Sequence, residues 1–433
     1  MIGTENSYIL SDDNLTDDAK FLIEFIESGS PFIFLTGKAG TGKTTVLRYI
    51  YERYRENAVK LAPTGVAALN VDGQTIHKFF KFPPRLFDVR EIAIRKPNDV
   101  VSRLKLLIID EISMVRADLL DNINEILKIW RKKDDAFGGV QVLAVGDLFQ
   151  LPPVLKDGDE TKIFKSRYES TWFFNAHIFR DVEITGVNLE TTYRQKEERF
   201  VEALDNLRLG EDIENAIDWL NGRCLKETFE IHSSVTLTGT NKSADIYNKR
   251  KFDSVRGREV TYEGEFDGDF EIANKNLPAP QQLKLKVGAQ VMVTRNQSAA
   301  ANGTICRVVE LDKKKIQLER IDNGHVFSLG KVKWEQIEYN LSPNNFEIEA
   351  VVSGVYKQFP LTLGWAITIH KSQGLTLDSI LLDLGGRAFA SGQAYVGLSR
   401  CPSVKNIALA RPLQIQDAIV DQVALQFMSK TFN

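Results

Sequence analysis

Gly37-Lys38-Ala39-Gly40-Thr41-Gly42-Lys43-Thr44 matches the pattern GxxxxGK[ST]. The apolar run Phe32-Ile33-Phe34-Leu35 precedes it, and helix-forming residues follow from about Thr44 to Arg55. The order is therefore buried strand, glycine loop, helix. Glycines in such a loop let backbone N–H groups approach phosphates, and the helix N-terminus adds a favourable dipole. Within the pattern Lys43 is placed to reach the β- and γ-phosphates of ATP, and the Thr44 hydroxyl to ligate Mg²⁺. Gly37, Ala39, Gly40, Thr41, Gly42 and Thr45 complete the cradle. The competing reading, a chance glycine turn, needs both flanks to be accidental as well.

Further apolar runs on either side suit buried parallel strands: Val59 to Ala62, Leu106 to Ile109, and Val140 to Val145. They alternate with helical patterns such as Ala117 to Arg131, and an acidic helix over Tyr8–Ser28 leads in. That alternation predicts an α/β domain with a covered parallel sheet. Two strand ends carry chemistry. Asp110-Glu111 closes the run Leu106–Ile109, which suits Asp110 for the magnesium and Glu111 for orienting and deprotonating the attacking water. An acidic helix cap is the bland alternative. Gly146-Asp147-Leu148-Phe149-Gln150-Leu151-Pro152-Pro153 follows another strand, with Gln150 placed to sense the γ-phosphate. Such strand ends are where open α/β sheets bind ligands.

After about Val187 the same grammar restarts, with a helix over Arg199–Leu209 and strands near Ser234–Leu237, Ser379–Leu382 and Asn406–Leu409. From about Thr294 to Leu361 the pattern turns to β, with Asn302-Gly303 and Asn323-Gly324 as hairpin signals. This predicts a small β-barrel inserted into a second α/β domain. A chain of 433 residues is long enough for that division.

Composition narrows the class. No apolar run approaches the roughly 18 residues of a membrane span. The first 30 positions hold seven acidic residues and one basic one, which is wrong for a secretory or mitochondrial leader. Cys224, Cys306 and Cys401 have no metal-site or disulfide spacing, so a reducing compartment fits. The expectation is a cytoplasmic protein, bacterial or phage-like. The net charge of −3 argues mildly against nucleic acid. Yet Gln281–Asn340 holds ten Lys and Arg against six Asp and Glu, and a groove needs only local positive charge to track phosphates.

Five more segments complete an ordered set: Ala62-Pro63-Thr64-Gly65-Val66-Ala67-Ala68, Thr75-Ile76-His77-Lys78-Phe79-Phe80, Leu189-Glu190-Thr191-Thr192-Tyr193-Arg194-Gln195, Ala366 to Thr376, and Gly392 to Arg400. With the phosphate loop, the chain resembles superfamily 1 helicases, and specifically the petite-integration-frequency (Pif) family, relatives of RecD. The likeness spans roughly positions 32 to 401. It implies two RecA-like P-loop domains, residues 1–186 and 187–293 with 362–433, and an SH3-like barrel at 294–361. It implies an ATP-dependent helicase moving 5′ to 3′ on single-stranded DNA, a monomer in solution, opening forked or partial duplexes in replication, repair and telomere maintenance, with G-quadruplexes among its substrates.

The resemblance also assigns residues. Arg194 and Arg400 look like arginine fingers reaching the γ-phosphate from the second domain, which would make hydrolysis depend on domain closure. Tyr193 would stack on adenine, a core tyrosine being the alternative. Pro63, Thr64, Gly65, Thr75, His77 and Phe79 lie in segments that meet single-stranded DNA in the family. Asn241, Lys242, Thr368, His370, Ser372 and Gln373 would supply the second domain's half. Ordinary packed histidines and a core Phe79-Phe80 pair are the competing readings. Residues 64–77, with Asp72-Gly73 as turn signal, would form the wedge hairpin at the duplex junction. One departure stands out: alignment on Leu15-Thr16-Asp17-Asp18 places Ala19 where the family carries an adenine-reading glutamine. Other classes stay open: a RecD-like translocase in a nuclease complex, or an ATP-driven switch acting on a protein.

Overall fold

The computed structural model describes residues 15–83, 85–93, 97–153, 155, 159–191, 193–195, 197–225, 234–271, 277–343 and 347–432. Asn14, Thr192 and the first residues of the expected N-terminal helix lie outside these. The first α/β domain is a six-stranded parallel sheet. Its strands are β1 (Phe32–Gly37), β2 (Ala58–Ala62), β3 (Gln74–Thr75), β4 (Leu106–Ile109), β5 (Gln141–Val145) and β6 (Thr185–Leu189), in the order β3-β2-β4-β5-β1-β6. β1, β2 and β4 are buried at every position, so their sequences read as apolar runs broken only by Thr36 in β1 and Lys60 in β2. Helix α1 (Asp17–Glu27) begins where the Thr16 hydroxyl accepts the Ala19 N–H, and it lays Ala19, Leu22, Ile23 and Ile26 on the sheet.

The stretch expected to form a wedge hairpin does not. Thr64 caps α3 (Gly65–Asn70), accepting the Ala67 N–H at 3.2 Å, and Ala67 and Ala68 are buried. The chain turns at Asp72, whose φ is 49°, and β3 then pairs parallel with β2 before α4 (Ile76–Phe80). The Asp-Gly turn is real, but a capped, alanine-rich run ahead of it favours helix over strand.

The second α/β domain has four parallel strands in the order Ala366–Thr368, Val235–Thr238, Ile380–Asp383, Ile407–Leu409. Between its first two strands in sequence lies the β region. Both expected turns sit in hairpins: Asn302-Gly303 joins Gln290–Val293 to Ile305–Leu311, and Asn323-Gly324 joins Lys315–Arg320 to Val326–Gly330. Antiparallel pairing extends back past Thr294, to Val260–Glu263 and Glu265–Gly268. Among the described residues the larger pairings form an open five-stranded and an open three-stranded sheet, with no closed ring.

Among the contacts that tie the parts together are two that involve buried or stacked aromatic rings. The long strand Val332–Leu341 carries Tyr339, which is 1% exposed and whose hydroxyl accepts the Lys60 N–H of β2 at 3.0 Å. The C-terminal helix Gln422–Phe432 returns to the first domain, where Phe427 stacks on Phe174 at 4.0 Å and meets Phe34 at 6.1 Å. Among the described residues no helix is long and apolar enough to cross a membrane.

Candidate nucleotide and strand site

The glycine loop joins β1 to helix α2 (Lys43–Tyr54). Gly42, at the N-cap, is left-handed and offers no side chain to the first turn, so the helix's free N–H groups remain available to an anion. Lys43 folds back: its Nζ donates to the carbonyls of Gly37 at 2.6 Å and Lys38 at 2.9 Å. Burial pulls its pKa down, while Asp147 and Glu111 oppose that fall. Thr44 and Thr45 are exposed on the first turn. Asp110 and Glu111 follow β4, and burial pushes both carboxyls up, Asp110 to about 6 and Glu111 to about 7, with the charge of Asp110 adding to the rise at Glu111. Glu111 holds a φ of 52°, a strained conformation of the kind that clusters at functional sites.

The second domain closes over this loop. Gly40 marks the approach: its φ is 86°, and a Cβ there would lie 2.6 Å from that of Arg194. Next to Arg194, the Tyr193 N–H donates to the Gly40 carbonyl at 3.0 Å, leaving the Tyr193 ring 63% exposed. Arg194 and Gln195 both donate to the Ser399 carbonyl. Arg400 is 1% exposed and held by the Val396 carbonyl at 2.8 Å and the Ser399 hydroxyl at 2.8 Å. Burial lowers its pKa to about 10, and neighbouring Arg194 pushes the same way. The field of Arg400 acts on both Lys43 and Glu111. The segment after β5 is clamped too. Gly392 has a φ of 70° and leaves room for nothing larger, since a Cβ would come within 2.2 Å of the Phe149 carbonyl. Gln150 donates to Asp147 at 3.3 Å and accepts from Gln373 at 3.2 Å.

The description "PIF1-like helicase" matches residues 14–217, and "DNA helicase Pif1, 2B domain" matches 271–311. A curated ATP-dependent DNA helicase Pif1 of Bdellovibrio bacteriovorus is 32% identical over 95% of this chain and 91% of the relative. The chain belongs to the Pif1-like helicase family. Crystals of a Bacteroides Pif1 with ADP-AlF4 superpose with a TM-score of 0.86 at 34% identity, covering 96% of each chain. A Bacteroides Pif1 bound to ssDNA is also 34% identical and superposes with a TM-score of 0.68. The chain spans 53% to 65% of the length of the first three curated relatives it matches, which come from two fungi and a Psychrobacter.

Within this Pif1-like chain the strand-facing candidates divide. Asn241 and Lys242 are exposed on the first turn of the helix Asn241–Ser254, which Thr240 caps. Pro63, Thr64, Gly65, Thr75 and His77 are half-buried along one edge. With Gln336 and Glu271 of the β region, Gly65, Thr75 and His77 line a cavity of about 250 Å³. Burial lowers the pKa of His77, with Arg116 adding to the fall, and burial lowers that of His370. Phe79 is a correction. It is 1% exposed, packed edge-on against Phe80 at 4.8 Å and near Tyr339, so it presents no stacking face. Thr368 and Ser372 are likewise buried, and their hydroxyls serve the local turn through the Lys371 N–H and the Ile369 carbonyl. Ala19 is buried at 1% in the α1–sheet interface, where apolar packing rather than base reading accounts for it.

Several groups escaped sequence reasoning. Tyr395 accepts the Ala39 N–H at 3.3 Å, Lys38 meets Asp205 at 2.5 Å, and Arg208 meets Asp147 at 3.3 Å. One signal existed. Arg208 lies beside the apolar stripe of its helix, eight residues after Phe200 and four after Leu204, and a charge there needs a partner.

Proposed function

We propose that this chain is an ATP-dependent DNA helicase moving 5′ to 3′ along single-stranded DNA, and that Arg194 and Arg400 make its hydrolysis conditional on closure of the two α/β domains. The observation that carries the reading is the meeting of the two domains at the phosphate loop, with Arg194 against Gly40 and the field of Arg400 on Lys43 and Glu111. Lys43, together with the loop's N–H groups, would hold the β- and γ-phosphates of ATP. The residues present fit Mg²⁺, because an exposed Thr44 hydroxyl and a half-buried Asp110 carboxylate follow the loop and β4. That ion would neutralise charge building on the phosphates. Glu111 orients water and takes its proton as the oxygen attacks phosphorus, while Gln150 positions the same water. Arg194 and Arg400 stabilise the charge that moves onto the leaving oxygen of ADP. Release of phosphate removes the anion that both guanidinium groups grip, and the domains part.

The strand would run along the edge formed by Pro63–Gly65, Thr75 and His77 in one domain and Asn241 and Lys242 in the other. Backbone N–H groups and small hydroxyls there bind phosphate without reading sequence. The Bacteroides relative described as bound to ssDNA supports a strand as the partner. Its lower TM-score supports a rearrangement of domains on binding. G-quadruplex unwinding, work at telomeres or in repair, and monomeric action near the nucleoid follow from the family resemblance.

A pair of unwinding assays tests the reading: one duplex carries a single-stranded 5′ tail, the other a 3′ tail. Strand separation with ATP is expected from the 5′ tail alone. Separation from the 3′ tail alone overturns the polarity, and separation from neither favours an ATP-driven switch.

A further inference from the structure

The helix Glu198–Leu209 makes contacts across the cleft that hydrolysis itself does not use. Arg208 is 7% exposed and lies over the Phe149 ring, its guanidinium 4.3 Å from the centroid. Its Nη2 donates to Asp147 Oδ1 at 3.3 Å, while its Nε is buried without a hydrogen-bond partner. Asp147 Oδ1 also accepts the Phe149 N–H at 3.1 Å, and Oδ2 accepts Gln150 Nε2 at 3.3 Å. Gln150 Oε1 in turn accepts Gln373 Nε2 at 3.2 Å. One chain of contacts therefore leaves the second domain at Arg208 and crosses the end of β5. It returns to the second domain at Gln373, in the segment assigned above to the strand. A buried ion pair adds little stability over well-packed apolar side chains, so its presence here asks for another role. The unpaired Nε suggests one. When Gln150 leaves Asp147 to meet the γ-phosphate, Nε and Nη2 together form the fork that grips both oxygens of a carboxylate.

We propose that Arg208 is a positioning residue that holds Asp147 while Gln150 moves between Asp147 and the nucleotide, so that a strand acting on Gln373 sets the rate of ATP turnover. This rests on the helicase reading above. Arg208 touches no reacting atom in this role.

The test is ATP turnover of the full chain with and without oligo-dT, read as the ratio of the two rates, for wild type, Arg208→Gln, Arg208→Lys, Gln373→Ala and the Arg208→Gln/Gln373→Ala double variant. The ratio is expected to fall about tenfold in each single variant. The double variant should fall no further, because both changes cut one chain. Arg208→Lys should not recover the ratio, since an ammonium restores the charge but not the two-toothed fork. If Arg208→Gln fails a thermal-melt check, Arg208→Lys carries the test. A Lys variant with the wild-type ratio, losses that multiply in the double variant, or basal and stimulated rates that fall in parallel overturn the proposal. A wild type that oligo-dT does not stimulate overturns the helicase reading beneath it.

Discussion

At Asp110 and Glu111 two carboxyls stand side by side after a buried strand, and burial holds their protons on at pH values where exposed carboxyls have lost them. The folded pKa of Glu111, about 7, lies above the ordinary 4.5. Its contribution to stability is therefore full below the ordinary value and is lost as pH rises through about 7. Glu111→Gln should flatten that part of the profile, so nucleotide-free variant and wild type diverge toward alkaline pH, with the variant the more stable. Denaturant midpoints from pH 5 to 8 check this, and parallel profiles would contradict it. The same variant should lose about 10²- to 10⁴-fold in turnover, as removal of a general base does. Lys43→Ala should abolish hydrolysis while leaving strand binding measurable by fluorescence anisotropy. The placement of Lys43, Asp110 and Glu111 beyond the ends of β1 and β4 was legible because residue type, spacing and flanking strand agree. Phe79 was not. A Phe-Phe pair reads alike as core or platform, and only the Phe80 and Tyr339 rings around it decide.

Elements were legible wherever burial on both sides leaves an apolar run, unbroken in Phe32–Leu35 of β1 and in β4 and interrupted only by Lys60 in β2. The failure at residues 64–77 has a local cause. Strands as short as β3, two residues long, carry no period, and the Thr64 cap outweighs the Asp-Gly turn behind it. Arg208 escaped for a different reason: its partner Asp147 lies 61 positions away in sequence, and no spacing announces it. The phosphate loop is tightly constrained at Gly40. Gly40→Ala would force a side chain into left-handed backbone and against the Arg194 Cβ. Nucleotide affinity and turnover should both fall, seen as a raised KM with a lowered kcat. A variant with wild-type constants would show that Arg194 does not sit over the loop during turnover.

Across the whole molecule, the β region docks on the first domain beside the proposed strand edge. Tyr339 there accepts the Lys60 N–H, and Lys78 donates to Ser353 at 3.2 Å. A strand that separates these surfaces must break such contacts. Tyr339→Phe, which leaves the Lys60 N–H without that acceptor at a cost of about 1–3 kcal/mol, should lower the melting temperature and tighten oligo-dT binding. Lower stability with unchanged strand affinity would show that docking and strand binding do not compete. In the proposed mechanism, hydrolysis requires a guanidinium delivered across the cleft by Arg400. The most direct measurement is strand-stimulated ATP turnover of Arg400→Gln, with nucleotide affinity measured on the same preparation. Affinity within a few-fold of wild type and turnover reduced about 10³-fold are expected. Turnover near the wild-type rate would contradict the mechanism.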